Sequence, residues 1–191
     1  MFQYCLESAM EVSKHNFDNC LAAILRENSG YAPGGPDGPT NHGITQATYS
    51  LWREEHFLPD KDVWQISFEE VESIYQRDFW IPSHAEECPA PLDLLVFRCS
   101  IESGHRWAIQ TLRQALGLPR GRIFCQRTRD AVKSCDGYAV SLQFLDLRAR
   151  FFRDLLEKTP ARRETSIAQL DQLERLRPAL RHIGEGMHAH A

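Results

Sequence analysis

The amino-acid sequence predicts a mainly α fold with one small β element. Apolar residues recur at spacings of three and four in most segments of the chain, which is the period of an amphipathic helix. Residues 33–39 differ from this pattern, because three prolines and three glycines in seven positions impose turns and exclude a helix. We therefore expect several helices and one turn-rich segment that forms a β-hairpin or an ordered loop.

The first predicted helix ends at Glu27. Its apolar stripe consists of Phe17, Leu21, Ile24 and Leu25. Asn28 and Gly30 follow the stripe, and both residue types tolerate the left-handed conformation that ends helices. Glu27 would then lie at the negative end of the helix dipole, where a carboxylate is disfavoured as an anion. Partial burial under Tyr31 would raise its pKa further, toward the protonated form that a general acid needs. A solvated helix-end glutamate is the alternative interpretation.

Two further helix starts follow the turn-rich segment. Thr45 can cap a helix that runs from Gln46 to about His56. Ser67 and Glu70 have the spacing of a capping box, which predicts the start of another helix. The apolar face of that helix would consist of Val71, Ile74, Tyr75 and Phe79.

The second half of the chain also shows helical periodicity. Its apolar stripes predict helices that end at Gly104, before Gly117 and before Pro160, and a weaker helix up to Pro178. We expect residues 181–191 to be a flexible tail and residues 1–15 to be an N-terminal extension.

Composition and charge limit the classes of function. The net charge is −4, so no global positive field attracts the chain to nucleic acid or to an anionic membrane. No segment has the length of a membrane span, and the first residues lack the features of a signal peptide, so we expect synthesis in the cytoplasm without membrane insertion. The six cysteines form no Cys-x-x-Cys pair, which favours mostly free, buried thiols and no metal site. A disulfide between Cys125 and Cys135 after export is the alternative.

Three motifs resemble the muramidases of glycoside hydrolase family 108. The run from Glu27 to Tyr31 is similar to the Glu-Gly-Gly-Tyr motif of the family and is one residue longer. The run from Thr40 to Thr45 matches the pattern Thr-x-x-Gly-Ile-Thr. The third motif, Ile-Tyr followed by an aromatic pair, is similar to residues 74–80.

This resemblance covers roughly residues 17–180 and implies a fold and a domain organisation. The implied fold is α+β and lysozyme-like, a helical bundle with a small β-hairpin or loop beside the cleft. Residues 16–104 would form the lysozyme-like catalytic region. Residues 105–180 would form a C-terminal helical lobe that resembles peptidoglycan-binding modules and has diverged from them.

The resemblance also implies a site. Glu27 would be the catalytic acid, and Asp37 or a water held by Thr45 would complete the chemistry. Sugar contacts are expected from Tyr31, Thr40, His42, Tyr75 and Trp80. Several of these residues have a structural alternative: Asp37 as a turn former, Thr45 as a helix cap, and Tyr75 and Trp80 as core. No cofactor or metal is implied.

The implied function is that of an N-acetylmuramidase. The enzyme would hydrolyse the β-1,4 bond between N-acetylmuramic acid and N-acetylglucosamine in peptidoglycan and cause lysis of the bacterial cell wall. Its partners would be glycan strands and an inhibitor, immunity or secretion-system protein. It would act in the periplasm or cell wall after export through a holin or a secretion machine. The resemblance leaves open whether the protein is a phage endolysin or a secreted antibacterial effector.

Several residues depart from the family pattern. Arg98 stands where the family has Asp, and Glu102 stands where it has Asn, so these two side chains could pair with each other or with other groups. Arg120 and Phe124 replace further family residues in a basic loop that spans residues 120–129. These changes support an alternative function, a catalytically inactive muramidase fold that binds cell wall or a protein partner. A helical nucleic-acid binder that uses residues 113–133 is a weaker alternative, because the net charge is acidic.

Overall fold

The structure is a computed structural model that describes residues 16–28, 30–34, 38–159 and 163–188. The expected N-terminal extension and the candidate Asp37 lie outside the described residues. The chain divides into two compact units, with the boundary between Pro82 and Ser83. The motifs instead place the end of the catalytic region at residue 104. This functional boundary stays a prediction.

The first unit contains one small sheet among helices. Its helices are α1 (residues 16–27), α2 (Gln46–Glu55) and α3 (Phe68–Tyr75), followed by a π-helical turn (Gln76–Trp80) and the short α4 (Ile81–Ser83). A 3-10 turn at Val63–Gln65 lies between α2 and α3. The strands are β1 (Tyr31–Ala32), β2 (Thr40–Asn41) and β3 (Ile44–Thr45), which pair antiparallel in the order β1-β2-β3. The predicted small β element is therefore confirmed, and β2 and β3 form a hairpin with its turn at His42 and Gly43.

The helix starts predicted in this unit are also confirmed. The side chain of Thr45 accepts a hydrogen bond from the N–H of Thr48 at the start of α2. Ser67 and Glu70 form the reciprocal bonds of a capping box at the start of α3. These caps satisfy N–H groups that the first turn of a helix leaves without partners.

The second unit is helical. It contains a 3-10 turn at Ala85–Glu87 and the helices α5 (Leu92–Ser103), α6 (His105–Ala115), α7 (Gln126–Ser134), α8 (Gly137–Lys158) and α9 (Arg163–His188). The predicted ends of α5, α6 and α8 are confirmed, and Gly104 has the positive φ of +86° that separates α5 from α6.

Two predictions about this unit were wrong. The basic segment 120–129 was expected to be a loop, but its last residues lie in α7, which has only Thr128 and Val132 as buried residues and thus little apolar periodicity. The weaker helix was expected to end at Pro178, but α9 continues past this residue to His188. Proline removes only one helical hydrogen bond, and the burial of Leu173 and Leu180 on either side of it favours a continuous helix.

Each unit has its own set of fully buried side chains. The largest in the first unit are Trp80, Tyr49, Tyr75, Leu21 and Ile74, and the largest in the second are Phe97, Phe144, Leu92, Leu112 and Leu145. The cysteines that the structure describes are free, and Cys20, Cys88 and Cys99 are buried. A disulfide between Cys125 and Cys135 after export stays an alternative. Within the described ranges, no helix combines the length and apolar character that a bilayer crossing requires.

Candidate functional site

Glu27 is the last helical residue of α1, as predicted. The side-chain amide of Asn28 donates a hydrogen bond to the carbonyl of Ile24 at 3.2 Å, which satisfies one acceptor of the last helical turn. Gly30 then adopts a φ of +86° and redirects the chain into β1. Glu27 is exposed, and Tyr31 is 49% exposed, so the expected partial burial of the carboxylate under Tyr31 is not observed.

The turn between β2 and β3 contacts the residues that follow α1. The N–H of His42 donates to the carbonyl of Gly30 at 3.1 Å, and the hydroxyl of Tyr75 donates to the carbonyl of His42 at 2.8 Å. Gly43 has a φ of +76°, and a Cβ there would lie 3.0 Å from the Tyr75 hydroxyl and 3.5 Å from the Cβ of Asn28. Glycine is therefore required at this turn for its backbone conformation and for space. These contacts hold the end of α1 and the hairpin in one arrangement.

A second set of hydrogen bonds fixes the other side of the hairpin. The buried Asn41 donates from Nδ2 to the carbonyls of Val63 and Trp64, both at 3.2 Å. The side chain of Gln46 accepts from the N–H of Val63 at 2.6 Å and donates to the carbonyl of Lys61 at 3.0 Å. The hairpin and the loop 61–64 are thereby tied together. Sequence reasoning missed Asn41, whose signal is a polar residue at an inward position of a strand.

Thr40 and Thr45 face each other across the sheet. They are directly paired in the register of β2 and β3, and both are half-buried. The Thr45 hydroxyl accepts from the N–H of Thr48 at 3.2 Å and shares a hydrogen bond with the Thr48 hydroxyl at 2.9 Å. The capping interpretation of Thr45 is therefore confirmed, and its role in holding a water stays a prediction.

The burial of Tyr75 and Trp80 corrects the expectation that they bind sugar. Both are only 2% exposed, and the ring of Trp80 packs edge-on against Phe17 at 5.5 Å between centroids. Burial also raises the pKa of the Tyr75 hydroxyl to about 12. Neither ring presents a face to which a sugar could bind. Tyr75 instead positions the hairpin turn, and Trp80 is part of the core.

The other three predicted sugar contacts, Tyr31, Thr40 and His42, are exposed or half-buried. Tyr31 lies on β1 opposite Asn41, with about half of its surface exposed. His42 has a positive φ of +51°, and its Nδ1 is buried without a hydrogen-bond partner among the described residues. Because this nitrogen has almost no accessible surface, any role of His42 in binding would fall to the other atoms of its half-buried ring.

Trp64 is an exposed aromatic residue that the sequence analysis did not select. Its side chain is 56% exposed, while its carbonyl is held by Asn41 of the hairpin. An exposed indole on a fixed backbone is a suitable surface for the apolar face of a sugar ring. Its signal in the sequence was a single tryptophan within a polar loop.

An ion-pair and hydrogen-bond network surrounds Glu70 in the first unit. Glu70 accepts hydrogen bonds from the Tyr49 hydroxyl at 2.7 Å, from Arg53 at 2.6 Å and from the N–H of Ser67 at 2.8 Å. Burial alone would raise the pKa of Glu70. The hydrogen bonds and the nearby cations outweigh this effect, so the pKa is lowered. The network joins α2 to α3 and has a structural role.

A group in the second unit could supply metal ligands. The ligand atoms of His84, Glu86 and Glu87 lie within 4.8 Å of one another, and burial raises the pKa of Glu86 to about 7. Glu87 is already bound by the guanidinium of Arg129, at 2.8 Å from Nη2, and by His84 at 3.1 Å. Because this cation already neutralises one of the carboxylates, we assign no metal to the group.

The replaced residues Arg98 and Glu102 belong to an ion-pair cluster in the second unit. Arg98 lies 4.0 Å from one carboxylate oxygen of Glu102, and Arg148 donates to the other oxygen at 3.0 Å. Both arginines are buried. The expectation that Arg98 and Glu102 pair with each other or with other groups is confirmed, and the cluster stabilises the packing of α5 against α8.

Comparison with known proteins gives the family and the fold. Residues 21–104 match the family model described as Glycosyl hydrolase 108. Twelve chains of solved structures match the protein, among them SagA of Brucella abortus, with a TM-score of 0.68 and 24% sequence identity over 87% of this chain and 94% of that chain. No curated protein matches the chain. The mainly α, lysozyme-like α+β fold is thus confirmed. The predicted resemblance is confirmed over residues 21–104, and this match supports a lysozyme-like glycoside hydrolase.

Proposed function

We propose that the protein is an N-acetylmuramidase that cleaves the β-1,4 bond between N-acetylmuramic acid and N-acetylglucosamine in peptidoglycan. One observation supports this most directly. Glu27 is an exposed carboxyl group at the C-terminus of α1, next to residues that are fixed to the hairpin, and the end of α1 and the hairpin lie within the family match. A general acid for glycoside hydrolysis must be accessible and must be positioned by rigid elements.

In this proposal Glu27 protonates the leaving glycosidic oxygen. A glycan strand bound over Glu27 would exclude water from the carboxyl group, and this desolvation favours its protonated form. The negative end of the α1 dipole acts in the same direction. The second group is Asp37 or a water held by Thr45, which stabilises or attacks the oxocarbenium-like carbon.

The contacts to the glycan come from the surface around the hairpin. Tyr31 and Trp64 offer exposed aromatic faces, and Thr40 and His42 offer polar groups. Aromatic faces bind the apolar side of sugar rings, and polar groups bind their hydroxyl and acetamido substituents. The reaction requires no cofactor in this mechanism.

The test is the substitution Glu27→Gln. The amide keeps the size of the side chain but cannot deliver a proton, so the release of reducing ends from purified cell walls should fall by about two to four orders of magnitude. Glu54→Gln is the matched control, since Glu54 is also an exposed glutamate near the end of a helix, and it should keep the parental rate. Parental activity in a folded Glu27→Gln variant would refute the mechanism.

A second candidate function is a catalytically inactive scaffold that binds cell wall or a protein partner. The observation that favours it is the ion-pair cluster of Arg98, Glu102 and Arg148, where a residue that is acidic in the family has become a buried cation. The same assay separates the two functions. An unmutated protein that binds peptidoglycan and releases no reducing ends from it would favour the scaffold.

We also propose that the protein is made in the cytoplasm and acts in the periplasm or cell wall after export by a holin or a secretion system. Lysis from within would indicate a phage endolysin, and killing of neighbouring cells, blocked by a cognate inhibitor, would indicate an antibacterial effector. Expression with and without an added periplasmic export signal tests the site of action. Lysis should occur only when the protein reaches the cell wall.

A further inference from the structure

The turn that follows α2 carries an exposed phenylalanine in an unfavourable backbone conformation. Phe57 has a φ of +55°, and its residue surface is 97% exposed. A bulky side chain rarely adopts this left-handed conformation, because its Cβ is crowded by the backbone, whereas glycine adopts it freely. The residue type at position 57 therefore opposes the local backbone conformation.

Main-chain hydrogen bonds complete this helix end without the phenylalanine ring. The N–H of Phe57 donates to the carbonyl of Glu54 at 3.0 Å, and the N–H of Leu58 donates to the carbonyl of Arg53 at 2.9 Å. These two bonds define a Schellman motif, in which the left-handed residue is usually glycine. The side chain of Arg53 also donates to the carbonyl of Pro59 at 2.5 Å. The turn is thus held firmly, and it presents the ring of Phe57 in a fixed position.

Burial in the fold does not explain this phenylalanine either. An aromatic side chain stabilises a protein chiefly by burying its large apolar surface, and Phe57 buries almost none. The residue before it behaves differently, because the ring of His56 stacks on Trp52 at 4.2 Å between centroids. A side chain that strains the backbone and stays in solvent points to a function outside the fold.

Two further apolar residues are exposed at the same helix end. Leu51 lies on the solvent-facing side of α2, and Leu58 follows Phe57 in the turn. Single exposed apolar residues are common on protein surfaces. Three of them at one helix end, including a strained phenylalanine, form a candidate interaction surface. We call Leu51, Phe57 and Leu58 the α2 patch.

The charge around the α2 patch is negative. The segment 54–62 carries four exposed acidic residues and one lysine. Arg77 neutralises Glu55 at 2.5 Å, and Lys61 lies 4.0 Å from Glu70 of α3. The remaining carboxylates repel anionic membranes and nucleic acid, and the same surface of a second copy would carry the same charge. They attract a cationic partner.

We propose that the α2 patch is a docking site for a basic, amphipathic segment of a partner protein. The apolar residues of that segment would bury the ring of Phe57, and its lysine or arginine side chains would pair with carboxylates such as Asp60 and Asp62. A buried aromatic anchor supplies much of the binding energy of an interface, and charges at its rim speed association and fix orientation. The rigid turn reduces the entropy that docking would cost.

The α2 patch is separate from the residues proposed to cleave or bind glycan. Its members are not among the candidate contacts around the hairpin. Docking therefore does not depend on the proposed muramidase activity. The same binding is expected in a Glu27→Gln protein.

The experiment is a calorimetric titration of the full-length protein with a short amphipathic peptide of leucine and lysine. A peptide with glutamate in place of lysine is titrated in parallel. The lysine peptide should bind saturably, more weakly as NaCl is raised from about 50 to 500 mM, and the glutamate peptide should not bind. Phe57→Gly should weaken binding about tenfold or more, because it removes the aromatic anchor.

Asp62→Lys tests the contribution of charge. The side chain of Asp62 makes no capping bond to the 3-10 turn that follows it, so the substitution chiefly changes the charge. It should weaken binding of the lysine peptide about threefold or more.

Ile123→Gly is the matched control, since it removes an apolar side chain that is 76% exposed and lies in the second unit. It should leave the affinity for the lysine peptide unchanged. Urea unfolding separates binding from folding. The midpoint of Phe57→Gly should not fall below that of the parent, because glycine relieves the strained φ.

Several outcomes would overturn the proposal. These are a lysine peptide that does not bind or binds Phe57→Gly equally well, a glutamate peptide that binds as tightly, and a lower urea midpoint for Phe57→Gly, which would give the ring a structural role. Light scattering could instead show self-association that Phe57→Gly abolishes, and a second copy would then be the occupant. Binding to phosphatidylglycerol vesicles that requires Phe57 would assign the patch to a membrane.

Discussion

The hairpin turn of the first unit depends on one glycine. Gly43 has a positive φ and a potential Cβ contact of 3.0 Å with the hydroxyl of Tyr75. The same hydroxyl holds the turn through the carbonyl of His42. The conformation at Gly43 therefore affects how the hairpin lies against the end of α1, and through it the surroundings of the candidate acid.

We predict that Gly43→Ala destabilises the protein more than Gly30→Ala. Both glycines have a positive φ, so each substitution should cost about 1–2 kcal/mol in backbone strain. Only the Cβ at position 43 meets a neighbour, because a Cβ at Gly30 has no atom within 4 Å. Urea unfolding of the two variants measures the difference.

A double-mutant cycle isolates the steric part of this effect. Tyr75→Phe removes the hydroxyl that a Cβ at position 43 would contact, so the penalty of Gly43→Ala should be smaller in the Tyr75→Phe background. Equal stability of Gly43→Ala and Gly30→Ala, together with strict additivity in the cycle, would show that the contact has no influence.

At the scale of single elements, two helix caps of the first unit have a similar structure and different proposed roles. Thr45 and Ser67 each accept a hydrogen bond from an N–H in the first turn of a helix. Only Thr45 is also a candidate for holding the reactive water. A comparison of the two caps therefore separates stability from catalysis.

We predict that Thr45→Ala and Ser67→Ala destabilise the fold similarly, by about 1 kcal/mol each, because each removes one capping bond. Thr45→Ala should in addition lower kcat on peptidoglycan, whereas Ser67→Ala should leave kcat unchanged. Thermal unfolding and the release of reducing ends are the two measurements. Thr45→Ser retains the hydroxyl and should restore both properties.

If kcat is the same in both alanine variants, Thr45 acts only as a cap. In that case Asp37 would be the stronger candidate for the second catalytic group. Asp37→Asn could then be compared directly with Glu27→Gln in the same assay.

Helix ends could be predicted where glycine, proline or a capping side chain marks them. This holds for α1, which ends at Glu27, and for α5, which ends before Gly104. Helix α7 could not be predicted, because its apolar pattern is too short. The continuation of α9 past Pro178 depends on the burial of Leu173 and Leu180, which is a tertiary effect.

The same distinction applies to the candidate site. The motifs predict which residues lie near the end of α1, and the structure brings Asn28, the His42–Gly43 turn and Tyr75 together there. Exposure could not be predicted, since an aromatic residue at helical spacing can face the core or a ligand. Trp80 is therefore core, and the exposed Trp64 was missed.

At the scale of the whole molecule, the chain has two compact units and a family match that extends from the first unit through α5 of the second. The candidate acid and hairpin belong to the first unit. The family match therefore covers the proposed catalytic residues and leaves most of the second unit outside it.

Cysteines occur in both units, so their reactivity is a property of the whole chain. The described ones are free, but their environments differ. Cys125 is exposed at the start of α7, and hydrogen bonds from Thr128 and Arg113 lower its pKa to about 6. Burial raises the pKa of Cys99 to about 12 and also raises that of Cys135. Thiolates are the reactive form, so these cysteines should differ in reactivity.

We predict that iodoacetamide modifies Cys125 first in the native protein. Its rate should be nearly constant above pH 7 and should fall as the pH drops below about 6, because the thiolate becomes protonated in that range. The rate at Cys135 should continue to rise through pH 9, as expected for a thiol with a raised pKa. Peptide mass spectrometry after timed alkylation measures both rates, and Cys125→Ser should abolish the fast phase.

After unfolding without reductant, all six cysteines of the chain should be alkylated. A missing pair would reveal a disulfide, and a fast phase with a midpoint near pH 8.5 would contradict the hydrogen-bonded thiolate at the start of α7.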